Sequence, residues 1–394
     1  MRGLVLSCLL VALAATLALL LASCGGGVGT GGTGSFSYAA GPITGFGSIV
    51  VNDVHFDEST ARVEDADGNV STRDALRLGM TVDVDGGDIA PATATTSASA
   101  SATRVRYASE MLGGVGTVDR AALSFTLLGQ TVLVDANTVF DDALSGGLAA
   151  LSSGRMVEVY ALFDAATTRY RATRIEPRAS TAEWRLRGVV SALDTAARSL
   201  VIGAATFSYA GAAGVPADLA VGQFVRLRVQ SAAPTATRFN VSAFGSATVA
   251  LPERAGAKIK GLVTAFTSPS SFSVNGQPVN GAAASFPNGR ALGVGTRVEV
   301  VGTVLSGVLQ AGSVSVESEQ AAQGRGFEIK GSISAVNAAL HTFVVRGVTV
   351  GTSRSDLRID DGSLLDIKVG REVEVKGLLS DDGTRLDATR IKFD

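Results

Sequence analysis

From residue 41 onward the chain is a succession of short apolar runs, each closed by glycine or by an Asn-Asp or Asp-Gly pair. Many of the runs alternate. Val373 and Val375 are interleaved with Glu374 and Lys376, and Thr389, Ile391 and Phe393 with Arg390 and Lys392. Period two over such lengths predicts half-buried strands, with the first set inward and the charged set outward. Leu200-Val-Ile, Phe343-Val-Val and Val348-Thr-Val predict further strands, punctuated by turn residues. Between early and late strands lies a short Leu/Ala-rich stretch, such as residues 142–151, long enough for about two helical turns.

The strands recur as a unit. A G-x-x-V-x-V/L pattern appears at Gly79, Gly154, Gly222, Gly295 and Gly370, at intervals of 75, 68, 73 and 75. About twenty residues later comes a second signature: Ala102-Thr-Arg-Val, Ala172-Thr-Arg-Ile, Ala236-Thr-Arg-Phe and Ala388-Thr-Arg-Ile, with Ala311-Gly-Ser-Val as a drifted copy. A third opens the units as Leu186-Arg-Gly, Ile259-Lys-Gly and Ile329-Lys-Gly, and a further glycine follows at 129, 203, 276 or 347. Ordered anchors in register across five copies mark a tandem repeat.

A sheet of 60–75 residues with open edges is marginal, and closing it into a small barrel removes the edges. The fold class this implies is all-β: five tandem small antiparallel β-barrels of oligonucleotide/oligosaccharide-binding (OB-like) type. The expected division is 1–23 signal peptide, 24–40 Gly-rich tether, and repeats at 41–110, 111–180, 181–250, 251–320 and 321–394. A period near 70 favours separate beads, each with its own core, over a continuous solenoid. The opening Gly41-Pro-Ile-Thr-Gly-Phe-Gly-Ser-Ile-Val-Val-Asn and the Gly…Val-x-Val…Ala-Thr-Arg-Ile skeleton resemble a repeat of secreted bacterial lipoproteins, a domain of unknown function. That resemblance covers residues 41–394 and implies a barrel repeat in the envelope, with no catalytic residues carried across.

The N-terminus sets the expected compartment. Arg2 precedes an apolar run from Gly3 to Leu21, and Leu21-Ala-Ser-Cys24 resembles a lipoprotein signal, cut before Cys24. Cys24 is the expected lipidation site, and Gly25 after it fits sorting to the outer membrane. Cys8 leaves with the signal, so thiol catalysis and zinc–cysteine sites are excluded from the mature chain.

Charge and chemistry add little. With 34 basic and 36 acidic residues the net charge is -2, which disfavours nucleic acid as a partner. Arg104, Arg174, Arg238 and Arg390 form the most regular polar feature. They are expected in cross-strand ion pairs (Asp83/Arg104, Glu158/Arg174, Glu374/Arg390), or as a row of ligand-binding cations for an anionic glycan. In the third unit Arg226 and Arg228 would then face Arg238. The acidic first unit offers Asp65, Asp67 and Asn69 as weak calcium ligands, although their order departs from an EF-hand and Asp-Gly is also a turn. His55 and His341 lie four units apart, there is no G-x-S-x-G, H-E-x-x-H or P-loop, and no cofactor is expected. Phe46, Phe125, Phe207, Phe272 and Phe343 are expected in the cores, and residues 90–103 as a Ser/Thr/Ala spacer loop. The expected function is a non-catalytic envelope binding or scaffold module, anchored in the membrane and meeting an envelope protein or glycan. The alternatives are a hydrolase using Asp/Glu at a barrel rim and calcium-dependent adhesion through the first repeat.

Overall fold

The computed structural model describes residues 37–394, apart from 95, 165–166, 233–234, 236, 246–252, 288–291, 295 and 317–325. Cys24, the signal segment and most of the tether lie outside the described residues. The tether itself is shorter than its composition suggests. Ser37–Ala40 already belong to a strand and are buried, because Tyr38 and Ala40 pack into the core of the fourth repeat.

Each repeat is a closed five-stranded barrel. In barrel one the strands are Ser37–Phe46, Ile49–Val51, Val54–Asp57, Thr81–Gly86 and Ala98–Tyr107. The first pairs with the second and fourth, the second with the third, and the fifth with the fourth. The ring closes through a parallel pairing of third and fifth strands, Phe56 opposite Ala100. The same circuit, 1-2-3-5-4-1, recurs in barrel two, barrel four and barrel five. In barrel three the first strand is broken into Glu183–Val189 and Ala192–Asp194, and both pieces keep their pairings. This is the OB-like Greek-key order. Among the described residues four short 3₁₀ turns, Arg73–Ala75, Asp142–Leu144, Gly147–Ala150 and Leu364–Asp366, occupy the place of the expected helix.

The signatures have structural meanings. The glycine of G-x-x-V sits at φ of +82, +81, +86 and +89 at Gly79, Gly154, Gly222 and Gly370, a region that glycine enters without strain. Its N–H donates to the first strand at Ile43, Val115 and Ile333, and in barrel three to Val190 at the break in that strand. The later glycine ends a two-residue hairpin with both residues at positive φ, as in Leu128-Gly129, Asn275-Gly276 and Arg346-Gly347. The valines after G-x-x and all five phenylalanines point into the cores, with Val373, Val375 and Phe207 fully enclosed.

Two expectations fail on register. The Ala-Thr-Arg strand is not a simple alternation: a β-bulge falls on its threonine. Ala102, Ala172 and Ala388 face inward, Thr103, Thr173 and Thr389 take the extra position, and alternation restarts at the arginine. Thr389 therefore does not join the core, and its hydroxyl donates to the Lys376 carbonyl at 3.1 Å. The bulge also places the matching segment of barrel three at Val241-Ser-Ala243, not at residues 236–239. In addition, residues 98–103 are not loop. Ala98, Ala100 and Ala102 alternate with serines along the fifth strand, a period-two pattern hidden inside low-complexity sequence.

The barrels are not beads. The first strand of barrel one pairs in parallel with the first strand of barrel four, Ala39 opposite Lys258. It also pairs with the first strand of barrel five, Phe46 opposite Ile329. The first strands of barrels two and three pair antiparallel, Leu186 opposite Met111. Barrels one, four and five thus form one network of 18 strands, and barrels two and three one of 12. Barrels one and five share a single hydrophobic core, as do two and three.

Candidate functional site

The arginine that follows each bulge meets a carboxylate on the neighbouring parallel segment. Arg174 Nη2 bonds Asp141 Oδ2 at 2.9 Å, Arg390 Nε bonds Asp360, and Arg104 Nη1 lies 3.8 Å from Glu64. The register is the same in all three: each acid lies two places beyond the residue paired with the arginine. In barrels three and four Ala243 and Ser313 replace the arginine, and Val215 and Pro287 stand at the acid's place. Cation and anion come and go together, which identifies them as one device. Sequence reading paired the arginines with the V-x-V strand instead. The observed partners lie two places further along that strand, one of which the bulge supplies: Arg104 lies opposite Asp85, Arg174 opposite Tyr160 and Arg390 opposite Lys376.

These arginines do not form a row. Arg174 is buried and inter-barrel: its Nη1 donates to the Leu78 carbonyl of barrel one at 3.1 Å, and its Nε to Glu176 at 2.5 Å. Arg104 is held by Asp85 and Glu64, while Arg390 is exposed. Arg238 starts the fifth strand of barrel three, on the surface and outside the device. Arg226 and Arg228 do not face it. They bind Asp67 of barrel one at 3.1 and 3.0 Å.

That contact fixes the acidic segment. Asp67 is clasped by guanidinium groups of barrel three, and Arg226 also donates to the Ala66 carbonyl at 2.9 Å. Asp65 accepts from the backbone N–H of Asp67 and Asn69 and from Asn69 Nδ2, at 2.8–2.9 Å. Burial opposes its ionisation, but these hydrogen bonds outweigh burial and lower its pKa. Asp65, Asp67 and Asn69 thus build a hairpin tip that docks one barrel on another. Among the described residues no group of three or more His, Cys, Asp or Glu is arranged to hold a metal ion.

A polar cluster lies where barrels one to four meet. Tyr38, Asp83 and Arg106 come from barrel one, Glu110 from the connection that follows, Arg187 and Phe224 from barrel three, and Asn275 and Gln277 from barrel four. They surround about 60 Å³, room for a few waters. Tyr38 donates to Asp83 Oδ1 at 2.7 Å, and Arg187 Nη1 to Glu110 Oε1 at 2.9 Å. The Arg187 guanidinium sits 4.9 Å from the Phe224 ring centre. Burial pushes the pKa of both Asp83 and Glu110 up, opposed in part by Tyr38 and Arg187 for the former and by Arg187 for the latter. Burial, with Asp83 beside it, also holds the Tyr38 hydroxyl protonated. Sequence reading missed this cluster, because its members lie in barrels one, three and four and share no motif.

The strands that carry ligands in many OB barrels, the second and third, present small outward side chains here, among them Thr126, Thr131, Thr206, Ser273 and Thr349.

The strand circuit defines the chain as an array of OB-like barrels. The DUF5666 family profile, a domain of unknown function, matches residues 115–176, 260–315 and 330–392. These segments are most of barrels two, four and five. No curated protein matches the chain. Among solved structures, Drosophila Unr CSD456 matches at 15% identity over 53% of this chain and 97% of its own, with a TM-score of 0.15. The fold assignment rests on the strand pairings above.

Proposed function

We propose that the protein is a non-catalytic lipoprotein of the bacterial cell envelope, anchored through Cys24 in the outer membrane, where it serves as a scaffold or binding module. The observation that carries this reading is the use to which the polar residues are put. Arg174, Arg226 and Arg228, which by sequence are ligand candidates, tie one barrel to another. The result suits a rigid projecting body. An envelope protein or glycan is the partner class this reading names. The hydrolase alternative gains little from the Asp83–Glu110 junction, where Asp83 is engaged by Tyr38 and Glu110 by Arg187.

The anchor is tested by labelling cells with a radioactive fatty acid. The parent protein should be labelled, and Cys24→Ala should be neither labelled nor cut. A labelled mutant refutes the anchor. The scaffold reading is tested by cross-linking in intact cells: specific capture of an envelope protein or glycan supports it. Turnover of a glycan or peptide by the purified protein, lost on Asp83→Asn, refutes it.

A further inference from the structure

Barrels one, three and five turn into their fourth strand at a corner, an apolar residue followed by the positive-φ glycine. In barrel one this corner is Leu78-Gly79, and both Leu76 and Leu78 are buried, at 3% and 1% exposure. Part of the cover comes from barrel two. A Cβ added to Gly79 would stand 2.9 Å from Val139 Cγ2 and 3.1 Å from Arg174 Cβ, and would strike the Thr173 carbonyl. Arg174 closes the contact on the Leu78 carbonyl. The chain therefore contains one worked example of a corner seated on an Ala-Thr-Arg bulge.

Barrel five carries both halves of that contact, and both are open. Its corner, Val369-Gly370, has Gly370 at φ +89 with nothing within 4 Å of a Cβ placed there. Val369 is 66% exposed, and Leu364 and Leu365 just before it are 51% and 83% exposed. Its bulge repeats the Ala-Thr-Arg sequence, and Asp360 holds Arg390 as Asp141 holds Arg174. The Arg390 side chain is 52% exposed, against 6% for Arg174. A barrel does not seat its own corner on its own bulge: in barrel two the bulge covers Gly79 while the Gly154 corner stays open.

We infer that the Leu364–Gly370 corner of barrel five is a docking surface for a second copy of this chain, which receives it on its Thr389–Arg390 bulge. The internal contact supplies the geometry, and the same arginine–acid device supplies the receiving face. One element differs. Arg358 stands where barrel two has Val139, so the contact between copies is more polar and weaker than the internal one. The corner of barrel three, Val221-Gly222, is also exposed, but its own bulge carries Ser242-Ala243 and no arginine.

The test is sedimentation of the whole mature chain, with Cys24→Ser to remove the lipid, over a range of concentrations. Reversible self-association is expected, weakened about tenfold or more by Val369→Asp and by Arg390→Ala, at unchanged melting temperature. Val221→Asp should leave it intact. A chain that stays monomeric at its highest soluble concentration overturns the inference, as does association indifferent to Val369→Asp and Arg390→Ala. A monomer that binds phosphatidylethanolamine–phosphatidylglycerol vesicles through Leu365 also overturns it and makes the corner a membrane contact.

Discussion

Arg174 of barrel two donates from Nη1 to the backbone carbonyl of Leu78 in barrel one, 96 residues away in sequence. Its other nitrogens are held by Glu176 and Asp141. A single buried guanidinium thus ties a strand of one barrel to the corner of another.

Removing it leaves the buried Glu176 carboxylate with Arg178 alone, at 2.6 Å, and frees the Leu78 carbonyl. Arg174→Ala should cost about 1–3 kcal/mol, the usual loss when a buried carbonyl and charged acceptors lose a hydrogen-bond donor. The equivalent Arg390→Ala acts on a solvated pair and should be close to neutral. Denaturant unfolding of the two variants measures the difference, and equal effects contradict the latch.

Gly79 and Gly222 have nearly the same backbone, at φ +82 and +86. Alanine at either position pays left-handed strain of about 1–2 kcal/mol. Only at Gly79 does the new Cβ strike a neighbouring barrel. Gly79→Ala should therefore lower the melting temperature clearly more than Gly222→Ala. Matched melts imply that barrels one and two do not touch there.

The inward–outward pattern of barrel five gives a third comparison. Val373 is fully enclosed, and an aspartate there should cost several kcal/mol. Glu374 lies on the surface beside Lys376, so Glu374→Ala should cost less than about 1 kcal/mol. Thermal melts that rank Glu374→Ala as the worse variant reverse the assignment.

The junction carboxylates give a pH dependence of known sign. Burial raises the folded-state pKa of Asp83 and Glu110, so the folded chain binds their protons more tightly than the unfolded chain does. Their contribution to stability is complete below the ordinary carboxylate value of about 4 and is lost as pH rises through the raised values. Asp83→Asn keeps an acceptor for Tyr38 and carries no charge. Its stability relative to the parent should increase between about pH 4 and pH 7. A constant or shrinking difference, measured by denaturant unfolding at each pH, shows that Asp83 is not desolvated.

The barrel itself was legible, because its code is local. Glycine at the corner, Val373 and Val375 in alternation, and the hairpin pair Asn275-Gly276 each act within a few residues. The bulge at Thr389 was not, since one inserted residue leaves the same pattern of residue types while moving every partner by one. The acids Glu64, Asp141 and Asp360 were missed for a related reason. They lie in a short parallel segment at a variable distance from the corner glycine. The contacts of Arg174 with Leu78 and of Arg226 with Asp67 join different repeats, and no pattern inside one repeat encodes them.

The central claim is that the barrels are interlocked, and truncation before barrel five tests it most directly. The first strand of barrel one pairs with that of barrel five at Gly45 and Phe46, and the two barrels share a core through Phe46 and Ile329. Hydrogen exchange should be followed on the amides of Ile43–Val51 in the mature chain and in a chain ending at residue 326. The account predicts that the truncated chain loses protection in this segment while barrels two and three keep theirs. Unchanged protection of Ile43–Val51 would mean that barrel one stands alone and that the repeats are beads after all.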